Sequence, residues 1–183
     1  MTTLLDMPEI RQRVLRVSVE DYHRRTEGKK TELLRGIILQ KMAKSPLHYN
    51  LVETLRTILS AQLPPGFVIR QEGPLTLADS EPEPDICVVR GSTEDFLESH
   101  PQHAELVIEV AVSSLEVDRV KALIYAEAGV PEYWIVCPEE RQVEIHREPT
   151  PAGYAEHSVA TPPDAIQCAA VPGVHLNLAT LLA

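Results

Sequence analysis

The chain has 183 residues, 44% of them apolar and 24% charged, with a net charge of −10 at neutral pH. That length and balance fit one soluble globular domain with a single core of sheet and helices. The negative charge argues against a basic, tight, non-specific nucleic-acid binder, and 4% aromatic residues argue against a base-stacking platform.

Taken in chain order, residues 1–17 are expected to form a flexible N-terminal segment and residues 18–183 a single domain. Asp6, Glu9 and Arg11 interrupt any signal-peptide core, and no apolar run reaches the length of a membrane span. A cytoplasmic protein is expected. Ser18 starts a short helix with Glu20 and Asp21 in its first turn. Thr31–Leu34 and Ile37–Met42 read as two strands of a hairpin turned at Arg35-Gly36. Ser45-Pro46 opens a helix that runs to about Leu63, where Pro64-Pro65-Gly66 ends it. Strands are expected at Phe67–Gln71, Pro74–Leu77 and Asp85–Val89, then a polar connection over Gly91–His103.

Glu105–Ala111 is almost continuously apolar and reads as a central strand covered on both faces. Leu115–Ala128 is a helix closed by Gly129, with Ser113-Ser114 as its cap. Glu132–Cys137 and Gln142–Arg147 are strands around a Pro138–Arg141 turn. A strand near Tyr154–Val159, a loop at Thr161–Asp164 and a final helix from Leu178 complete the chain. This order predicts an α/β (α+β) fold, a mixed sheet flanked by helices, and no doubly wound repeat. No glycine-rich phosphate loop is present, which disfavours a nucleotide cofactor.

Cys87, Cys137 and Cys168 are far apart and read as small buried apolar residues, not as a disulfide or zinc framework. Basic residues gather at Arg11–Arg16, Arg24–Lys30 and Lys41–Lys44 and read as solvated faces. Trp134 reads as core. The other histidines, His23, His100, His103, His146, His157 and His175, show no zinc-like spacing.

Chemistry concentrates in Glu83-Pro84-Asp85, Glu109, Asp118 and Lys121. Asp85 opens an apolar strand, where a turn or cap role competes with a functional one. Glu109 sits inside an apolar strand, and a carboxylate is rarely buried without a partner or a cation. A helical wheel puts Val117, Ile124 and Ala128 in one stripe, and Lys121 falls at its edge, beside Ala128. Lys121 therefore lies within the sheet-facing side, close to Asp118 one turn earlier. His48 falls between Leu55 and Leu59 on its own helix, again on the apolar side. Glu32 is a further acid on the first hairpin. Two acids and a lysine suffice to hold Mg²⁺ and cut a phosphodiester.

The run Glu32-Leu33-Leu34-Arg35-Gly36-Ile37-Ile38, with His48, Glu83-Pro84-Asp85-Ile86 and Leu106-Val107-Ile108-Glu109-Val110, resembles the Uma-two family of restriction endonucleases. Asp118, Lys121, Tyr125 and Gly129-Val130-Pro131-Glu132-Tyr133-Trp134-Ile135-Val136 extend the resemblance. The family belongs to the PD-(D/E)XK nuclease superfamily. The resemblance implies a restriction-endonuclease-like core and a Mg²⁺ or Mn²⁺ site that acts on DNA. Carried over by position, Asp85 and Glu109 are metal ligands and, with Lys121, the catalytic set. Glu32, His48 and Asp118 are accessory. The superfamily lysine usually stands two residues after the glutamate, where this chain has Ala111, so Lys121 reaches back from the helix. Dimers are common in the superfamily, and a homodimer is expected. The rival expectation is a catalytically silent nuclease fold serving as a DNA-associated or regulatory module.

Overall fold

The computed structural model describes residues 15–182. The N-terminal segment expected over 1–17 therefore lies outside the described residues up to position 14. Ser18 caps α1 (Val19–Thr26) by accepting the Asp21 N–H. β1 (Thr31–Leu34) and β2 (Ile37–Gln40) form the expected antiparallel hairpin. At its turn Gly36 has φ +75°, and a Cβ there would fall 2.6 Å from Arg16 Cβ. Only glycine meets both conditions. Ser45 caps α2 (Pro46–Gln62) by accepting the His48 N–H, with Pro46 in the first turn.

β3 (Phe67–Gln71), β4 (Ile86–Arg90), β5 (Leu106–Val110), β6 (Glu132–Cys137), β7 (Gln142–Thr150) and β8 (Gly153–Ala160) make a six-stranded sheet in that spatial order. β5 and β6 run parallel, joined by the crossover helix α3 (Leu115–Glu127). The other neighbours in this sheet are antiparallel. A small hairpin of β9 (Ala165–Gln167) and β10 (His175–Asn177) leads into α4 (Leu178–Leu181). The mixed sheet flanked by helices is the architecture that the order of elements implies.

The sheet divides the apolar residues by parity. Ile86, Val88, Leu106, Ile108, Val110, Trp134 and Val136 pack with Leu55 and Leu59 of α2 and with the β9–β10 hairpin. Cys87, Val89, Val107, Ala111, Tyr133, Ile135 and Cys137 face the other way, with Tyr125 of α3. Asp85 and Glu109 share the parity of this second set, and Ile86 pairs with Ile108 across β4 and β5. The two acids therefore lie side by side on the α3 face.

Some expectations are corrected. Pro74–Leu77 is not a strand: Leu75 donates to the Pro82 carbonyl, Thr76 to Pro101 and Leu77 to Ser80, so its N–H groups serve loop contacts. β2 ends at Gln40 and not Met42. β7 continues past Arg147 to Thr150. Ser114 stands at the start of α3 but its side chain does not cap the backbone. Val117, a member of the apolar stripe on the helical wheel, is 41% exposed, whereas Asp118, Lys121, Ile124 and Tyr125 are buried. The buried face is thus turned from Val117 toward Asp118 and Tyr125, which brings Lys121 from the edge of the stripe to its middle. Cys87, Cys137 and Cys168 are buried and free, with burial pushing each thiol up to about 12.

Glu132 ties the C-terminal part to the sheet. It is 1% exposed. Oε1 accepts from Trp134 Nε1 at 2.8 Å and pairs with Arg147 at 2.7 Å, while Oε2 accepts the Ala169 N–H at 2.8 Å. Removing one member of a buried ionic set strands the others. Glu132→Ala is expected to cost about 3–5 kcal/mol, read as a lower urea midpoint with Trp134 fluorescence as the probe.

Candidate active site

Asp85, Glu109, Lys121, Glu32, His48 and Asp118 line one open cleft of about 320 Å³. They come from five places in the chain, with Asp118 and Lys121 on the same helix. Asp85 immediately precedes β4, Glu109 lies near the end of β5, and Glu32 lies on β1. His48 is in the first turn of α2, and Asp118 and Lys121 are on the buried side of α3.

The two central acids are bonded to each other's strands. The Asp85 N–H donates to Glu109 Oε2 at 3.1 Å, and the Val110 N–H donates to Asp85 Oδ2 at 2.8 Å. Lys121 Nζ lies 3.0 Å from Glu109 Oε1, 3.0 Å from Glu32 Oε2 and 3.8 Å from Asp118 Oδ1. The Tyr125 hydroxyl donates to Glu109 Oε1 at 3.2 Å. His48 Nε2 meets Asp85 Oδ2 at 3.0 Å, and the Ser114 hydroxyl donates to Asp118.

Lys44 completes the set and escaped the sequence reading, which placed Lys41–Lys44 on a solvated face. Its Nζ lies 2.6 Å from Asp85 Oδ1, and Lys41 pairs with Glu83 at 2.7 Å. Both lysines belong to the loop between β2 and α2. The sequence signal was position: Lys44 directly precedes the Ser45 cap, so a helix that aims His48 at the site also brings Lys44 there. Arg24, Arg25, Lys29 and Lys30 are exposed as expected.

Charge does not balance in this cleft. Among the described residues, Glu32, Glu83, Asp85, Glu109 and Asp118 face Lys41, Lys44 and Lys121, and all of these acids but Glu83 are buried. Burial raises the Glu109 carboxyl to about 8, against the pull of Lys121 and with further push from Asp85, Asp118 and Glu32. Asp118 rises to about 6 for the same first reason, opposed by Lys121 and Ser114. Burial also acts to raise Asp85, but His48 and Lys44 outweigh it and hold that acid below the ordinary range. Burial acts to lower Lys121, yet Glu109, Glu32 and Asp118 outweigh it and keep the ammonium charged.

The donor set suits a hard dication. Every carboxylate offers oxygen, and Glu32 Oε2 is a buried atom without an aligned hydrogen bond despite its nearness to Lys121. The surplus negative charge is of the sign that a divalent ion neutralises. The Val110 carbonyl accepts the Val112 N–H at 3.1 Å and keeps a second lone pair.

No curated protein matches the chain. A solved structure described as "a putative nuclease belonging to DUF820", from Anabaena variabilis, is 21% identical, with a TM-score of 0.72. The alignment covers 91% of this chain and 97% of that one. At that identity the likeness shows the fold. The Uma2 family model, described as "Putative restriction endonuclease", matches residues 19–179. The chain belongs to the Uma2 family.

Proposed function

We propose that the chain is an endonuclease that hydrolyses DNA phosphodiester bonds with Mg²⁺ or Mn²⁺ bound by Asp85 and Glu109. The observation that carries this reading is the convergence of these two same-face carboxylates with Lys121, in a cleft where acids outnumber cations. When bound, the ion supplies Lewis-acid polarisation of the phosphate and lowers the pKa of a bound water. Lys121, held by Glu109 and Glu32, places a fixed positive charge where phosphate oxygens gain negative charge. Tyr125 and the Asp85 N–H orient the Glu109 carboxylate. Asp118 and Glu32 steady Lys121, and His48 and Lys44 steady Asp85. With a net charge of −10, the protein's overall field gives DNA no attraction, and the positive charge that meets the phosphate is local: Lys121 and the bound ion.

The exposed Val117, Val120 and Leu123, spaced along one side of α3 next to the cleft, support the homodimer expected from the superfamily. No described helix is long and apolar enough to cross a membrane, and the reading places the protein in the cytoplasm with its DNA substrate.

One specific observation favours the silent alternative. Without an ion the acids already hold partners, since Lys44 and His48 occupy Asp85 and Lys121 occupies Glu109. Catalysis and silence then differ in whether a dication displaces these partners.

Cleavage of single- and double-stranded DNA in Mg²⁺ or Mn²⁺ tests the reading. Glu109→Gln and Lys121→Met are each expected to lower the rate by at least about a hundredfold. Equal activity in wild type and Glu109→Gln would overturn the assignment.

Mn²⁺ is expected to raise the melting temperature dose-dependently, equivalent to about 2.7 kcal/mol at a hundred times its dissociation constant. Asp85→Asn abolishes the rise. Because the Glu109 proton, held to about 8 by burial, must leave before the ion binds, the rise is larger at pH 8 than at pH 6. In the metal-free protein the sign is opposite. A carboxyl raised from 4.5 to about 8 stabilises the fold below 4.5 and loses that contribution as pH rises through 8. An absent metal response favours the silent alternative.

A further inference from the structure

We propose that Glu144, His146 and His157 form a site for a divalent transition-metal ion of the zinc class, sharing no residue with the acidic cleft. His146 of β7 and His157 of β8 are direct cross-strand partners, and Glu144 precedes His146 by two residues on the same face. Glu144 Oε2 lies 4.0 Å from His146 Nε2 and 3.9 Å from His157 Nε2. One donor atom from each residue falls within 4.8 Å of the others.

Three features set this cluster apart from a chance grouping. The first is an unmet need: His146 Nε2 is buried and has no hydrogen-bond partner. A buried ring nitrogen left unpaired is costly, and ligation removes the cost. The second is rigidity. The His146 ring stacks on Tyr133 at 5.6 Å and packs against Tyr154 at 5.7 Å. Those tyrosines are themselves fixed, their hydroxyls donating to the Asp118 and Val130 carbonyls. The third is how Glu144 is held. Arg119 of α3 donates to Oε1 through Nη2 at 2.5 Å and reaches Oε2 only through Nε at 3.3 Å. Arg119 thus orients the carboxylate through one oxygen and leaves the other turned toward both imidazoles, the outer-shell role that a metal ligand requires. Glu116 shares the Arg119 charge at 2.9 Å, which tempers its repulsion of an incoming cation.

Two imidazoles and a carboxylate select zinc, cobalt or nickel over Mg²⁺, the reverse of the preference of the acidic cleft. Bonds of about 2.1 Å need donors about 3.4 Å apart, so small side-chain rotations close the site. The His157 side chain is 51% exposed and leaves a further coordination position to water. An ion there joins β7 to β8, the edge strand of the sheet, and blunts an edge open to pairing with other chains.

Chelator-treated full chain, titrated with Zn²⁺ and separately with Co²⁺, tests the proposal. Wild type is expected to gain melting temperature with Zn²⁺ and to show visible Co²⁺ bands of low-coordinate, nitrogen-ligated metal. His157→Ala and His157→Gln, both at a half-exposed edge position, should keep the far-UV circular dichroism of wild type. Each should bind at least about tenfold more weakly, since even outer-shell losses cost 10–100-fold. His175→Ala, at an exposed histidine of the other hairpin, should leave the response unchanged. No Co²⁺ bands in wild type, equal affinity in the His157 variants, or loss of the response in His175→Ala would each overturn it.

Discussion

Glu109 cannot be buried alone, and the cleft is arranged around that constraint. Its strand is covered on both faces, and the residue is 3% exposed. A carboxylate in that position needs donors from every side. The residue just before β4 supplies the Asp85 N–H, and α3 supplies Lys121 and Tyr125. The first hairpin adds Glu32 to Lys121. Elements far apart in sequence are thereby fixed to one another at the same point. The crossover from β5 through α3 to β6 makes this possible, because a helix returning over a parallel pair lays one face along the sheet's outer layer.

The same arrangement leaves more acid than base. A proton on Glu109 and the lysine contacts of Asp85 are two ways of meeting that surplus, and a dication is a third. Stability without metal and affinity for metal are therefore opposed quantities here. Stronger lysine and histidine pairing to Asp85 protects the empty fold but raises what an incoming ion must displace. A nuclease and a silent relative can share every residue named above and differ only in this balance.

Part of the cleft was legible because the helical period constrains it. Period 3.6 put Lys121 and His48 on inward sides of their helices, whereas period two puts Asp85 and Glu109 on one face only once the Ile86–Ile108 pairing is given. The wheel erred at Val117, since hydrophobicity marks what can be buried and not what is, and the polar residues Asp118 and Lys121 occupy the inward face instead. Lys44 was not legible because it lies on a loop, where no period applies and only the direction of the following helix positions it. Pro74–Leu77 looked like a strand by composition, but its N–H groups have loop partners, which composition does not encode. The β9–β10 hairpin is too short, at three residues a strand, for alternation to be visible.

His146 and His157 were passed over for a different reason. Metal-ligand spacings read along a sequence are spacings within a helix or a tight loop, whereas two strands of a hairpin bring together residues at any separation. What fixes the pairing is the turn. In β7 and β8 the partner numbers sum to one constant from Val143↔Ala160 to Thr150↔Gly153, so the position of the turn alone determines that His146 faces His157. Ending the first strand at Arg147 and starting the second at Tyr154 left that turn unplaced and the register open. Once the strands extend to Thr150 and Gly153, the histidine pair follows from arithmetic, and Glu144 joins it by parity. A cross-strand cluster is thus as determined by sequence as a helical one, but only after the turn is known to the residue.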